Sequence, residues 1–119
     1  MGMLGLRLEH VGINAGNEQE AGKTAEAFQR LLGLETGRSG DSSVFAGNCV
    51  EVMKQKKRGR CGHLGFSTPC LERTVRYLKE MGAVFCEDPA ADRSDGSLPV
   101  LYFEEEIGGF AIHLAQASS

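Results

Sequence analysis

Apolar positions along this chain follow two alternating periods, and the order in which those periods occur repeats. Residues 6–14 alternate in character, which predicts an opening strand. Asn17, with Glu20 three residues on, reads as a helix N-cap. Ala21, Ala25, Phe28, Leu31 and Leu32 then recur at helical spacing, and Gly33 supplies the stop. After a turn rich in Gly, Ser and Asp, residues 43–46 and 49–53 are short strand candidates joined at Gly47 and Asn48. A second strand near residues 61–67 restarts the order. Thr68 and Pro69 read as an N-cap followed by a first-turn proline. Leu71, Val75, Leu78 and Met81 make an apolar helical stripe, which Gly82 ends as Gly33 ended the first. Two late strands near 100–103 and 110–115 flank a hairpin whose Glu104, Glu105 and Glu106 read as a solvated turn. The pattern is an α+β fold of two tandem βαβββ modules, about 4–54 and about 60–116, in curved mixed sheets around a central cavity. The 119 residues make up a single domain.

The repeat extends to individual side chains. His10 lies in LEHVGIN and His63 in CGHLGFS, each reading His, apolar, Gly, apolar, small polar. Glu51 stands four residues after Gly47, and His113 four residues after Gly109. The histidines are 53 residues apart, and Glu51 and His113 are 62 apart. Side chains in a strand alternate between faces, so each strand can be sorted. Val11 and Ile13 oppose Leu8, His10, Gly12 and Asn14. Val50 and Val52 oppose Cys49, Glu51 and Met53. Leu64 and Phe66 oppose Cys61, His63, Gly65 and Ser67, and Ile112 and Leu114 oppose Ala111, His113 and Ala115. One face of each strand suits packing beneath a helix. The other carries a single ligand-type residue among mainly small neighbours. Taken alone, each such residue is more often structural or solvated than a ligand. A buried imidazole or carboxylate is costly unless paired or coordinated, and four placed symmetrically favour one divalent cation. His10, Glu51, His63 and His113 are the expected metal ligands. Cys49 and Cys61, on the same faces, are expected to line the cavity wall.

Composition narrows the class. The 41% hydrophobic and 24% charged content is that of a soluble globular protein. No run approaches the roughly 18 apolar residues of a membrane span. The opening MGMLGLRLEH has neither a signal-peptide core nor a myristoylation pattern, so a cytoplasmic location is expected. The net charge of −3 argues against a nucleic-acid partner. Cys49, Cys61, Cys70 and Cys86 lack close pair spacing and are expected as free thiols. The basic run Lys54, Lys56, Lys57, Arg58 and Arg60 reads first as a solvated connector between modules. Its other reading is a rim that attracts an anionic small molecule.

A duplicated βαβββ unit with His on each first strand, carried here by EHVGIN, VEVMK and IGGFAIHL, resembles the vicinal oxygen chelate superfamily. That group includes glyoxalase I, methylmalonyl-CoA epimerase and extradiol dioxygenases. The chain also looks like the glyoxalase-like module that accompanies some keto-deoxy-phosphogluconate aldolases. The resemblance implies a divalent metal, Zn, Ni, Co, Fe or Mn, held by His10, Glu51 and His63. His113 takes a fourth position where glyoxalase I has glutamate, a departure that puts glyoxalase I activity itself in doubt. A lyase or isomerase is implied, acting on a small oxo- or hydroxy-acid or dicarbonyl-derived metabolite through two adjacent oxygens, with Glu51 and then His113 as proton carriers. Two alternatives stand beside it: a non-catalytic binding or accessory module, and more weakly an extradiol-type dioxygenase, for which the sequence shows no aromatic-lined pocket. A homodimer is expected because the sheet leaves edges to cover. The modules could pair within one chain or across that dimer.

Overall fold

A computed structural model describes residues 4–56, 58–86 and 100–118. The first half runs β1 (Arg7–Asn14), α1 (Glu18–Leu32), β2 (Thr36–Ser39), β3 (Ser43–Ala46) and β4 (Val50–Met53). The second runs β5 (Gly62–Thr68), α2 (Leu71–Glu80), β6 (Leu101–Tyr102) and β7 (Phe110–Gln116). The strands make one seven-stranded mixed sheet in the order β2-β3-β4-β1-β5-β7-β6. In each half the first strand runs parallel to the last, β1 with β4 and β5 with β7. The two first strands pair antiparallel at the centre. Both halves therefore join in one continuous sheet within the chain.

Local chemistry accounts for the first helix closely. The Asn17 side chain accepts the Glu20 N–H at 2.8 Å, and Gly33 closes the helix at φ 72° with its N–H on the Gln29 carbonyl. Ala21 and Ala25 are fully or almost fully buried against Ala46 and Val52, with Phe28, Val44 and Val50 packed around them. Leu31 and Leu32, expected in the same stripe, are 70% and 66% exposed. Length explains this: β3 and β4 have four residues each, about 13 Å, while the 15-residue helix spans about 22 Å. The last turn has no sheet beneath it. Met81, at the end of the second stripe, is likewise 70% exposed.

The second helix begins later than its sequence predicts. Thr68 remains in β5 opposite Gln116, and its hydroxyl pairs with that of buried Thr74 at 2.7 Å instead of capping. Cys70 occupies the N-cap without a side-chain bond, and the Gln116 side-chain oxygen accepts the Leu71 N–H from outside the helix. Pro69 thus precedes the cap. Strand β2, on the edge of the sheet, was not expected; its TGRS sequence carries no apolar alternation. Lys57 of the basic run lies outside the described residues. The four cysteines are free thiols, and no described helix is long and apolar enough to cross a membrane.

Candidate metal centre

Register across the central four strands sets the site. Gly12 of β1 stands between Glu51 of β4 and His63 of β5. One step along, Gly65 of β5 stands between His10 of β1 and His113 of β7. The two rows have the same form, a ligand-type residue on each side of a glycine. A Cβ at Gly12 would fall on the ring atoms of His63. A Cβ at Gly65 would collide with the His10 ring and lie 2.7 Å from His113 Nε2. The glycine two residues after each histidine is therefore the space into which the opposite half's imidazole lies.

Those spaces let the side chains converge. His10 Nε2 is 3.1 Å from His63 Nε2, which is 3.2 Å from Glu51 Oε1; His10 Nε2 and Glu51 Oε1 are 3.5 Å apart. His113 completes the histidine trio, whose ligand nitrogens all lie within 4.8 Å of one another. Glu51, His63 and His113 are buried and His10 half-buried. The second oxygen of Glu51 accepts the Ser43 hydroxyl at 2.8 Å.

Burial dominates the electrostatics. It lowers the His10 pKa, with the neighbouring His63 adding to the effect. It pushes His113 down to about 3, again reinforced by His63 and His10. Burial alone would raise the Glu51 carboxyl, but hydrogen bonds from His63 and Ser43 outweigh it and hold the group below its ordinary value. The contact between His10 and Glu51 is thus one of a neutral imidazole with a carboxylate.

The donor set fits a divalent cation. One proton on His63 Nε2 can serve either His10 or Glu51, not both. A cation among them would accept lone pairs from His10 Nε2, His63 Nε2 and Glu51 Oε1 together. An ion held at about 2.0–2.1 Å sets neighbouring ligands roughly 3.3–3.4 Å apart in a tetrahedron and about 2.8–3.0 Å apart in an octahedron. The separations among His10, His63 and Glu51, 3.1, 3.2 and 3.5 Å, lie within a few tenths of an ångström of those spacings. Nδ1 of His63 and of His113 is buried without a hydrogen-bond partner among the described residues, so an ion on Nε2 would leave each ring an unpaired Nδ1–H.

The cluster opens into a cavity of about 950 Å³. Its lining includes residues that the sequence reading did not single out: Ser43, Phe45, Arg38 and Tyr102. Strand alternation contained the signal for two of them, since Ser43 and Phe45 share a face of β3. Phe45 pairs across the ladder with Glu51, and Tyr102 with His113. The cavity thus has an aromatic lining that the sequence had not suggested. Cys49 and Cys61 are exposed and absent from the lining, contrary to expectation, because they fall just outside the ends of β4 and β5. The basic run divides. Lys54 is tied to the Gly40 carbonyl at 2.7 Å, while Arg58 faces the cavity.

No family model and no curated protein sequence matches the chain. Solved structures do. Methylmalonyl-CoA epimerase from Streptomyces coelicolor, in complex with 2-nitronate-propionyl-CoA, superposes with a TM-score of 0.70 at 13% identity, over 95% of this chain and 98% of that one. The Mycobacterium tuberculosis methylmalonyl-CoA epimerase gives 0.67 at 16% identity, over 94% and 88%. A 2,3-dioxygenase from Pseudomonas sp. KL28 gives 0.65 at 21% identity, over 99% of this chain and 43% of that one. These are vicinal oxygen chelate proteins, and the chain has their glyoxalase-like fold.

Two outcomes follow from the site. Gly65→Ala drives His10 and His113 off their positions, so metal affinity falls by about 10- to 100-fold while the circular dichroism spectrum is retained; unchanged affinity contradicts the glycine's role. The second concerns the metal-free protein. Its His10 and His113 have folded pKa values below the unfolded value, so acidification protonates the unfolded chain first. Stability is complete above about pH 6.5 and declines toward the folded pKa of His113. The urea midpoint of chelator-stripped protein is expected to be lower at pH 5 than at pH 7.5, with a smaller drop in His113→Gln. A midpoint that rises on acidification contradicts the assignment.

Proposed function

We propose that this protein is a metal-dependent enzyme acting on a small oxo- or hydroxy-acid, or a dicarbonyl-derived metabolite, through two adjacent oxygens. The observations that support the reading are the approach of His10, His63 and Glu51 to within 3.5 Å of one another and the presence of His113 within 4.8 Å of the two other histidines, beside the cavity. A bound divalent ion supplies Lewis-acid chelation of vicinal oxygens, which acidifies the adjacent carbon and stabilises the resulting anion. The chain's own residues do the rest. His10 and His63 hold the centre from the two paired first strands. Neutral His113 contributes a lone pair without charge. Glu51 is the proton carrier: it is the cluster's only carboxylate, and Ser43 anchors one of its oxygens while the other faces the centre. Chemistry of this kind is that of an isomerase or lyase.

A second reading, ring-cleaving oxygenation of a catechol, is favoured by one observation. Phe45 and Tyr102 line the cavity beside a set of two histidines and one carboxylate, which also suits Fe(II). A homodimer that covers the edge strands β2 and β6 is compatible with either reading. The candidate ligands all lie in one chain, so neither reading requires a partner to supply one.

Elemental analysis and a substrate screen test the proposal together. The purified protein is expected to retain about one divalent ion per chain, and His10→Ala and His63→Ala each to lose it. The loaded protein is expected to turn over dicarbonyl or keto-acid substrates without consuming oxygen. Unchanged metal content in both variants removes the proposal. Oxygen uptake with catechols transfers the site to the second reading. Full occupancy with ligand-induced thermal stabilisation but no turnover marks a binding or accessory module.

A further inference from the structure

Strand β1 breaks its own alternation three residues before the end of the histidine motif's reach. Leu8 pairs with Phe66 and His10 with Gly65, so two steps along β1 match one along β5, and Glu9 is the extra residue of a β-bulge. Unbroken alternation from His10 would put Leu8 in the cavity and Arg7 on the opposite face. The bulge reverses both. Arg7 pairs with Ser67, which shares the face of His63 and Gly65, and Arg7 lines the cavity. Leu8 is absent from the lining and is 51% exposed. The extra residue is pinned in place, because the Ser67 hydroxyl donates to the Glu9 carboxylate at 2.8 Å.

The bulge thereby gives the floor a third row. Beyond the row of Gly12 and the row of Gly65, Ser67 stands between Arg7 of β1 and Ala115 of β7. Ser67 and Ala115 are small and line the same cavity as the cluster, so a ligand that starts at the histidines has room to extend over them. Ser67 lies two residues from Gly65, about 7 Å along the strand. Arg7 is not engaged elsewhere: among the described residues it makes no hydrogen bond, ion pair or ring contact. The proton of Ser67 is given to Glu9, so Arg7 is the cationic donor at this end of the floor. Glu9 also lines the cavity, and its charge limits what the arginine can take. A ligand carboxylate beside Arg7 and Glu9 leaves the three groups with one net negative charge, whereas a phosphate dianion leaves two.

We propose that Arg7 reads the far end of the substrate: with the two chelating oxygens at the centre, a second carboxylate lies over Ser67 and pairs with the Arg7 guanidinium. This deepens the proposed function and rests on it. The planar fork of a guanidinium matches a carboxylate through two charge-assisted hydrogen bonds. The substrate class is then a dicarboxylic hydroxy- or oxo-acid, in preference to a monoacid or a phosphorylated acid with the same head.

Four acids with a 2-hydroxy-acid head test it: glycerate, with an uncharged tail; malate and 2-hydroxyglutarate, with carboxylate tails of different length; and 3-phosphoglycerate, with a phosphate tail. Each is titrated calorimetrically into the full-length metal-loaded protein. The better of the two dicarboxylates is expected to bind about tenfold tighter than glycerate, and tighter than 3-phosphoglycerate. Arg7→Met is expected to remove that advantage with metal content and circular dichroism unchanged. Arg7→Lys, which keeps the charge without the fork, should restore part of it. Dicarboxylates that bind no better than glycerate, tightest binding of 3-phosphoglycerate, binding of none of the four, or an Arg7→Met variant that keeps the full advantage each overturn the role of Arg7 while leaving the metal reading in place. Absence of retained metal strikes the proposed function first, and the role of Arg7 falls with it.

Discussion

His10, His63 and Glu51 come within 3.5 Å of one another, with His113 beside the two histidines, because the sheet beneath them is bare at two places, Gly12 and Gly65. Neighbouring strands are about 4.8 Å apart, and a ligand-sized side chain on every strand would fill the floor. The two rows avoid this by alternating ligand, glycine, ligand across the strands. The constraint is reciprocal. The glycine that follows His10 accommodates His63, and the glycine that follows His63 accommodates His10 together with His113. The antiparallel pairing of β1 with β5 brings each motif's histidine beside the other motif's glycine. A slip of one residue in that register would turn the ligands of one half to the opposite face.

The electrostatic character of the centre follows from this packing. Burial keeps His10 and His113 neutral, so Glu51 brings the cluster's only negative charge. Ser43 and His63 hold that carboxylate ionised against the cost of desolvation. A site whose only charged ligand is one carboxylate would leave a divalent ion with excess positive charge. Such a centre attracts an anionic oxygen ligand more strongly than a site with two carboxylates.

Much of this was legible in the sequence because periodicity reports on faces. The alternation around His10, Glu51, His63 and His113 placed all four on one side of the sheet, and the helix starting after Asn17 and ending at Gly33 is where the pattern put it. What periodicity cannot report is length matching and ladder register. Leu31 and Leu32 continue the stripe of Ala21 and Ala25, yet they overhang strands of four residues. Thr68 has the chemistry of a cap, but β5 keeps it, because its partner hydroxyl on Thr74 is buried beside it. The H-x-G repeat was visible as a pattern. Its meaning required the register that sets Gly12 against His63 and Gly65 against His113. Arg38 and Tyr102 were missed because β2 and β6 are short edge strands with no apolar alternation to reveal them.

X-ray absorption at the metal edge of the loaded protein tests the centre most directly. Three imidazole rings, identified by their multiple scattering, and one carboxylate oxygen are expected in the first shell, with no sulfur. A sulfur shell from any of the four cysteines, or a shell with a single imidazole, contradicts the convergence of His10, His63, His113 and Glu51 on one ion.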